Sequence, residues 1–260
     1  MRAALLAAGI ATLVLGGCKA EKKEAPAAIA STPSFAPTHP GATEGDGRVS
    51  GAVYISSPPP ARHAVKMNAQ PYCLALHPNG RESEEIVART HGELKDAIVF
   101  VSSGLPDLAY PAPAEPIVLT QTGCWYEPHV LSVSVGQPLR VVNADATMHN
   151  IHGRPSMNQP FNFSQPGKGM SRDVVFLQPE LPVPLKCDVH GWMNAWVGVF
   201  SHPFHAVTGA DGAFNLAGLP EGTLEITCWH PKMGSLHEKI TVQKGRALHL
   251  DFRYPVARLS

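Results

Sequence analysis

Residues 170–200 read MSRDVVFLQPELPVPLKCDVHGWMNAWVGVF. Pro182 and Pro184 deny the first half a helix, because each fixes φ and removes a backbone donor. The segment therefore runs extended to Cys187, turns through the short loop DVHGW and returns as a strand through MNAWVGVF. The same pattern recurs along the chain, in GRVSGAVYI (47–55), LKDAIVFV (94–101), HVLSVSVGQPLRVVN (129–143), GTLEITCW (222–229) and EKITVQKGRALHLDF (238–252). Each is a short alternating run bounded by Pro, Gly, Asn or Asp, which is the strand-and-turn signature of a sandwich or barrel. With 23 glycines and 25 prolines, and no long stretch of apolar residues at helical spacing, the expected fold class is all-β.

A hairpin loop as short as residues 187–193 brings Cys187, His190 and Met193 close together, in a chain with only five cysteines and seven methionines. Thiolate and imidazole with a thioether as a weak axial donor make a type 1 copper site, which needs one more histidine. VGQPLRVVNADATMHNIHG (135–153) offers His149 and His152. Residues three apart on a strand face opposite ways, so one of the two points at the Cys187 loop. A structural zinc site fits less well, since it prefers more cysteines and leaves Met193 without a role. The plain alternative is a buried free cysteine beside unrelated histidines.

The stretches RVVNADATMHNIH (140–152) and VPLKCDVHGWMNAWVGVF (183–200) resemble the cupredoxins, with amicyanin-type spacing of the last three donors rather than the longer plastocyanin gap. They are similar in particular to secreted bacterial cupredoxin-like proteins of the methylamine utilization group. The resemblance implies a Greek-key β-sandwich holding one type 1 copper on His149, Cys187, His190 and Met193. It gives Asn150 the position whose side chain ties the two ligand loops together, and it leaves His152 off the metal. Cupredoxins usually carry Ser or Thr after the cysteine; here Asp188 stands there, a carboxylate able to alter hydrogen bonding near the sulfur and lower the potential.

The beginning, MRAALLAAGIATLVLGGC, has one charge at Arg2, an apolar run and small residues before Cys18, the layout of a secretory signal. Leu15-Gly16-Gly17-Cys18 resembles a bacterial lipobox, which implies signal residues 1–17 and a lipid on Cys18. Lys19 in place of Asp favours the outer membrane as the address. Residues 18–47 are rich in Ala, Pro and charge and read as a disordered tether. The expected setting is the periplasm, anchored to a membrane. Lys plus Arg equals Asp plus Glu at 21 each, so nothing electrostatic favours nucleic acid.

In an oxidising compartment, with Cys18 lipidated and Cys187 on copper, one disulfide and one leftover thiol are expected from Cys73, Cys124 and Cys228, with three pairings possible. The resembling group has cysteines at similar places, which implies Cys73–Cys124; both fall in loop-rich sequence upstream of the ligand strands. Cys228 alternates with Leu224 and Ile226 and reads as a small apolar core residue. His129 shares parity with Leu131, Val133 and Val135, and reads as a hydrogen-bonded core histidine rather than a fifth ligand. Trp192 offers a docking patch or electron exit beside the loop, and Trp196 reads as packing. His63, His77, His91, His202, His205, His230, His237 and His249 show no ligand spacing and read as surface or packing residues.

The last segment, 205–260, has an Asp-Gly turn, a Leu-Pro-x-Gly-Thr turn and several strands, and resembles a carboxypeptidase-regulatory-like or transthyretin-like sandwich. The expected division is a copper domain over 48–204 and this small β domain over 205–260, with RVSGAVYI able to add a strand to the latter. Three functions compete: an electron carrier working with a redox partner protein, a copper storage or delivery protein, and a non-metal carbohydrate- or protein-binding sandwich. Catalysis is not expected. The tail gathers no nucleophile, base and orienting group, and a second set of histidines for a catalytic copper is missing from the sequence.

Overall fold

A computed structural model describes residues 45–56, 59–67 and 70–255, which belong to one compact unit. The expected signal, the lipidated Cys18 and nearly all of the tether lie outside the described residues. The chain opens with β1 (Gly47–Ile55), β2 (Ala64–Val65), α1 (Pro71–Leu76), β3 (Arg81–Glu82) and β4 (Ile98–Ser103). Then come β5 (Ile117–Thr122), β6 (Trp125–Glu127), β7 (Val130–Ser134), β8 (Pro138–Asn143), β9 (His149–Gly153) and β10 (Phe161–Gln165). They are followed by β11 (Ser171–Val175), β12 (Glu180–Lys186) and β13 (Asn194–Phe200). The last six strands are β14 (His205–Val207), β15 (Ala213–Leu219), β16 (Gly222–His230), β17 (Gly234–Val242), β18 (Ala247–His249) and β19 (Phe252–Tyr254). The class is all-β. The one helix among the described residues, α1, starts with Pro71 in the first turn, where a missing N–H costs nothing, in a stretch whose sequence suggests a loop.

Two sandwiches share the chain. In the first, a five-stranded sheet in the order β10-β9-β12-β13-β7 faces a four-stranded sheet in the order β11-β8-β5-β6. Alternation decides what goes inside: Leu139 and Val141 of β8 and Val183 and Leu185 of β12 are buried while their neighbours are not. These side chains meet Leu119, Leu131, Val133, Ile151, Val197 and Val199 in one apolar cluster, each contributing roughly 1.5–3 kcal/mol by burial. The β12–β13 hairpin is where the sequence placed it. Its register shifts between Glu180 and Val183, across Pro182, which cannot donate to the ladder.

The second sandwich takes strands from both ends of the chain. β14 and β16 pair with β4, and β15, β18 and β19 pair with β1, so strands on both sides of Phe204 share sheets. A boundary at 204/205 therefore does not separate two self-contained sheets. The physical reason is size: a tail of about 50 residues cannot bury a core alone, and β1 and β4 supply the missing faces. Val49, Val53, Val99 and Val101 pack there against Phe214, Leu224, Ile226 and Cys228. A small third cluster of Ile98, Val130, Phe200 and Trp229 joins the sandwiches. Between β1 and β4 the chain leaves the second sandwich, and α1 buries Cys73 in the core of the first.

Candidate metal centre

The loop between β12 and β13 is folded inward by its own backbone. Lys186 pairs with Asn194, the Cys187 N–H donates to the Met193 carbonyl (3.0 Å), and the Met193 N–H donates to the His190 carbonyl (2.8 Å). These bonds turn Cys187, His190 and Met193 into the core, where they are 2%, 1% and 0% exposed. The His190 N–H also donates to Cys187 Sγ at 3.3 Å. β9 lies beside β12, with Lys186 opposite His152, so the first residue of β9, His149, reaches the same point and is fully buried.

There the side chains converge. His149 Nδ1 is 3.1 Å from His190 Nδ1, and Cys187 Sγ is 3.7 Å from His190 Nδ1. One donor atom from each of the three residues lies within 4.8 Å of the others. Met193 is buried in the same apolar cluster as Cys187. Two imidazole nitrogens and a sulfur meeting in a dry pocket fit a borderline-soft transition metal, and a 3.1 Å nitrogen pair suits one ion about 2.0 Å from each.

Electrostatics keep the donors free. Burial, assisted by His149, lowers His190 to about 4, and burial lowers His149 against the opposing pull of Asp145. Both rings are neutral at pH 7, so each has a lone pair to offer. Asp145 sets which nitrogen that is. Its Oδ2 lies 2.8 Å from His149 Nε2, and a carboxylate can only accept there, which assigns the proton to Nε2 and the lone pair to Nδ1. Asp145 is fixed in turn by the N–H groups of Gly123 and Cys124 (2.9 and 2.8 Å). Those two residues are the whole loop between β5 and β6, both with positive φ (60° and 55°), the pattern of a type I′ turn.

Asn150 spans the elements around the site. Its Oδ1 accepts from the Asp188 N–H (3.1 Å), and its Nδ2 donates to Asn162 Oδ1 (2.7 Å) and the Phe163 carbonyl (3.1 Å). Asp188 turns its carboxylate to the surface, where Lys186, His152 and Asn162 hold it at 2.9–3.0 Å; Lys186 above all lowers it to about 2. His152 is thus engaged by Asp188 and stands apart from the converging donors. His129 is buried, with Nδ1 at 3.1 Å from the Asn194 carbonyl, and belongs to the strand pairing rather than to the donor group. Trp196 packs edge-on against Trp229.

Sequence reasoning missed three neighbours. Asp145 is the first; its signal was an acidic residue four before His149. Tyr126 is the second: its buried hydroxyl donates to the Asn150 carbonyl, and burial together with the nearby Cys187 pushes it far up, so it stays protonated. The third is the position of the Cys73–Cys124 disulfide, which is present, with both sulfurs within 4.8 Å of a His190 ring nitrogen. Trp192 bridges the two loops by donating to the Cys124 carbonyl (3.0 Å), its ring 5.2 Å from that of His190.

No family description and no curated protein matches the chain. Among solved structures, a mutant of amicyanin in its Cu(I) form is similar at 22% identity and a TM-score of 0.30, over 39% of this chain and 97% of that one. A purple cupredoxin from Nitrosopumilus maritimus is similar at 21% and 0.27, over 32% and 98%. The Cu-containing nitrite reductase from Thermus scotoductus SA-01 is similar at 22% and 0.30, over 40% of this chain; only 25% of the reductase is spanned.

Proposed function

We propose that the protein is an electron carrier with a single type 1 copper held by His149, Cys187, His190 and Met193. The buried meeting of His149 Nδ1, His190 Nδ1 and Cys187 Sγ carries this reading. Copper bound there supplies one-electron exchange between Cu(I) and Cu(II). The chain's own residues do the rest. Asp145 keeps the His149 proton on Nε2, Asn150 holds the two loops in register, and the His190 N–H lies against the thiolate charge. Leu131, Ile151, Leu185 and Val197 line the core and exclude water, which leaves no open position for a substrate and makes electron transfer, not turnover, the supported role.

Copper storage or delivery is the second reading, and the burial of His190 at 1% exposure favours storage, because an enclosed donor set retains its ion. The proposed setting is the periplasm, with lipid on Cys18 anchoring the chain to the outer membrane, a tether ahead of β1, and a redox partner protein as the electron source or sink; no role with nucleic acid is proposed. Membership of the methylamine utilization group, with a carboxypeptidase-regulatory-like second sandwich, belongs to the same proposal.

A visible spectrum of the copper-loaded, oxidised protein tests it. Strong thiolate-to-Cu(II) absorption is expected, and stoichiometric Cu(II) without colour overturns the type 1 assignment. If the protein takes up no copper, the binding-module reading replaces it. Exchange separates the first two readings, since a carrier keeps its copper in the presence of a chelator while a delivery protein yields it.

A further inference from the structure

The Cys73–Cys124 disulfide sits against the donor cluster rather than at a distance from it. Both sulfurs lie within 4.8 Å of a ring nitrogen of His190, and Cys124 Sγ also lies within 4.8 Å of a His149 nitrogen and an Asp145 oxygen. All of these residues are buried, with Cys73 1% and Cys124 0% exposed. His190 Nδ1 faces His149 and Cys187, whereas His190 Nε2 is buried with no hydrogen-bond partner among the described residues. An orphaned imidazole nitrogen in a dry core is costly unless something else meets it. A cover for the site needs only apolar side chains. This one brings two sulfurs instead.

We propose that reduction of Cys73–Cys124 creates a second, thiolate-rich site for Cu(I), formed by Cys73, Cys124 and His190. The balance is simple. A dithiol reductant attacks one sulfur, the S–S bond breaks through a mixed disulfide, and the donor leaves oxidised after delivering two electrons and two protons. Cu(I) then displaces the two thiol protons to solvent, with no change in its own oxidation state, and takes the lone pair of a His190 ring whose proton sits on Nδ1 toward His149, so this site and the first are filled one at a time. Soft thiolates select Cu(I), and a small outward shift of the two sulfurs suffices to admit an ion about 2.3 Å from each.

The fold provides the access. α1 is six residues long, has no side-chain cap bond at Gln70, and leaves Leu74 and Leu76 each 46% exposed. Such an element opens at low cost compared with the sheets beneath it. Cys124 holds a left-handed φ of 55° that a side chain beyond Gly adopts only when its surroundings fix it. The hairpin turn, Asp145 and the disulfide all hold it, so reduction removes one restraint and leaves the Cys124 thiol on a turn that stays formed.

The proposal shares His190 with the proposed copper site and rests on that reading for the identity of the metal, so the test removes the first site. The Cys187→Ser variant is loaded anaerobically with Cu(I) against bathocuproine disulfonate, either as isolated or after a dithiol reductant has been applied and removed. The reduced variant is expected to hold about one equivalent of Cu(I) and the oxidised variant none, with two sulfur scatterers in X-ray absorption. Adding Cys73→Ser and Cys124→Ser should abolish the uptake. Equal retention by oxidised and reduced forms, or uptake that survives loss of both cysteines, overturns the proposal. Circular dichroism of each form reports folding. Should Cys187→Ser not fold, the wild-type protein decides the same question through the number of thiolate sulfurs around Cu(I) before and after reduction. The colour of the oxidised wild-type protein reports separately on the type 1 reading.

Discussion

Among the described residues, the two cysteines outside the disulfide, Cys187 and Cys228, are each almost completely buried, one in each sandwich. Cys187 ends an extended run at a loop and looks onto two neutral imidazoles. Cys228 lies in mid-strand on β16, between Val99 of β4 and Leu236 of β17. Its sulfur meets the Tyr254 hydroxyl at 3.6 Å, and burial pushes the thiol up to about 12. Burial alone thus makes a cysteine inert. What turns one into a metal donor is a loop that gathers borderline donors around it and a carboxylate that orients them.

The sharpest way to break this contrast is to exchange the fates of the two thiols. Cys187→Ala should abolish both the visible band and tight copper binding, while Cys228→Ala leaves the band in place; absorption spectra of copper-loaded protein decide it. A band that survives Cys187→Ala would sink the assignment. Met193→Leu should keep the colour and raise the reduction potential, because it deletes only a weak axial donor. His152→Ala, at a surface residue tied to Asp188, should leave the spectrum nearly unchanged.

Asp145 comes next. Asp145→Asn keeps the size but presents either an amide oxygen or an amide N–H to His149 Nε2, so the proton assignment of the ring is no longer enforced. Outer partners of this kind are worth roughly 10–100-fold in metal affinity, and a loss of about that size is expected in chelator competition. An unchanged affinity would mean that packing alone orients His149.

Much of the site was legible because it is local. Intervals of three across a tight hairpin loop force Cys187, His190 and Met193 together whatever the rest of the chain does; the parity of a strand allows one of His149 and His152 to face them, and the cupredoxin resemblance chooses His149. Asp145 offered only its place four before His149, and what fixes its carboxylate, the N–H groups of Gly123 and Cys124, depends on how the β8–β9 turn meets the β5–β6 turn. The division of the sheets was legible only in part. RVSGAVYI could be read as a strand for the tail, but β4 pairs with β16 across nearly half of the chain, and no local pattern encodes a partner that far away. α1 was missed because six residues cannot show a helical period, and it forms where the disulfide and the core hold it.

Acid should expose a smaller difference. Burial lowers His202 to about 4 and His230 to about 3, both away from the metal donors. Below the unfolded value near 6.5 the unfolded chain binds protons that the folded one refuses, so stability is lost as pH falls from about 6.5 toward those folded values. A cost of about 2 kcal/mol per ring between pH 7 and 5 is expected from urea midpoints, and His230→Gln should remove about half of it. Stability that rises on acidification would contradict the buried neutral state of these rings.

The smallest effect is the most informative about the second sandwich. Cys228→Ala removes one sulfur from a position with no exposed surface and leaves a space smaller than a methylene pair. The Tyr254 hydroxyl does not depend on that sulfur, since it also lies 2.9 Å from the Cys228 carbonyl and 2.8 Å from the Gly234 carbonyl, and either can accept its proton. No buried polar group is orphaned, so only packing is lost, and a destabilisation of about 1 kcal/mol is expected. Cys228→Ser should cost more, because its hydroxyl enters a cluster of Ile226, Val99 and Phe252 and, on a shorter bond than the sulfur's, falls short of the Tyr254 hydroxyl that meets the sulfur at 3.6 Å. Urea midpoints of the two variants at pH 7 measure the order, and the copper spectrum of each should match the parent. If Cys228→Ala shifts the spectrum, the two cores are coupled through the Ile98, Val130, Phe200 and Trp229 cluster, and Cys228 is no longer a passive residue.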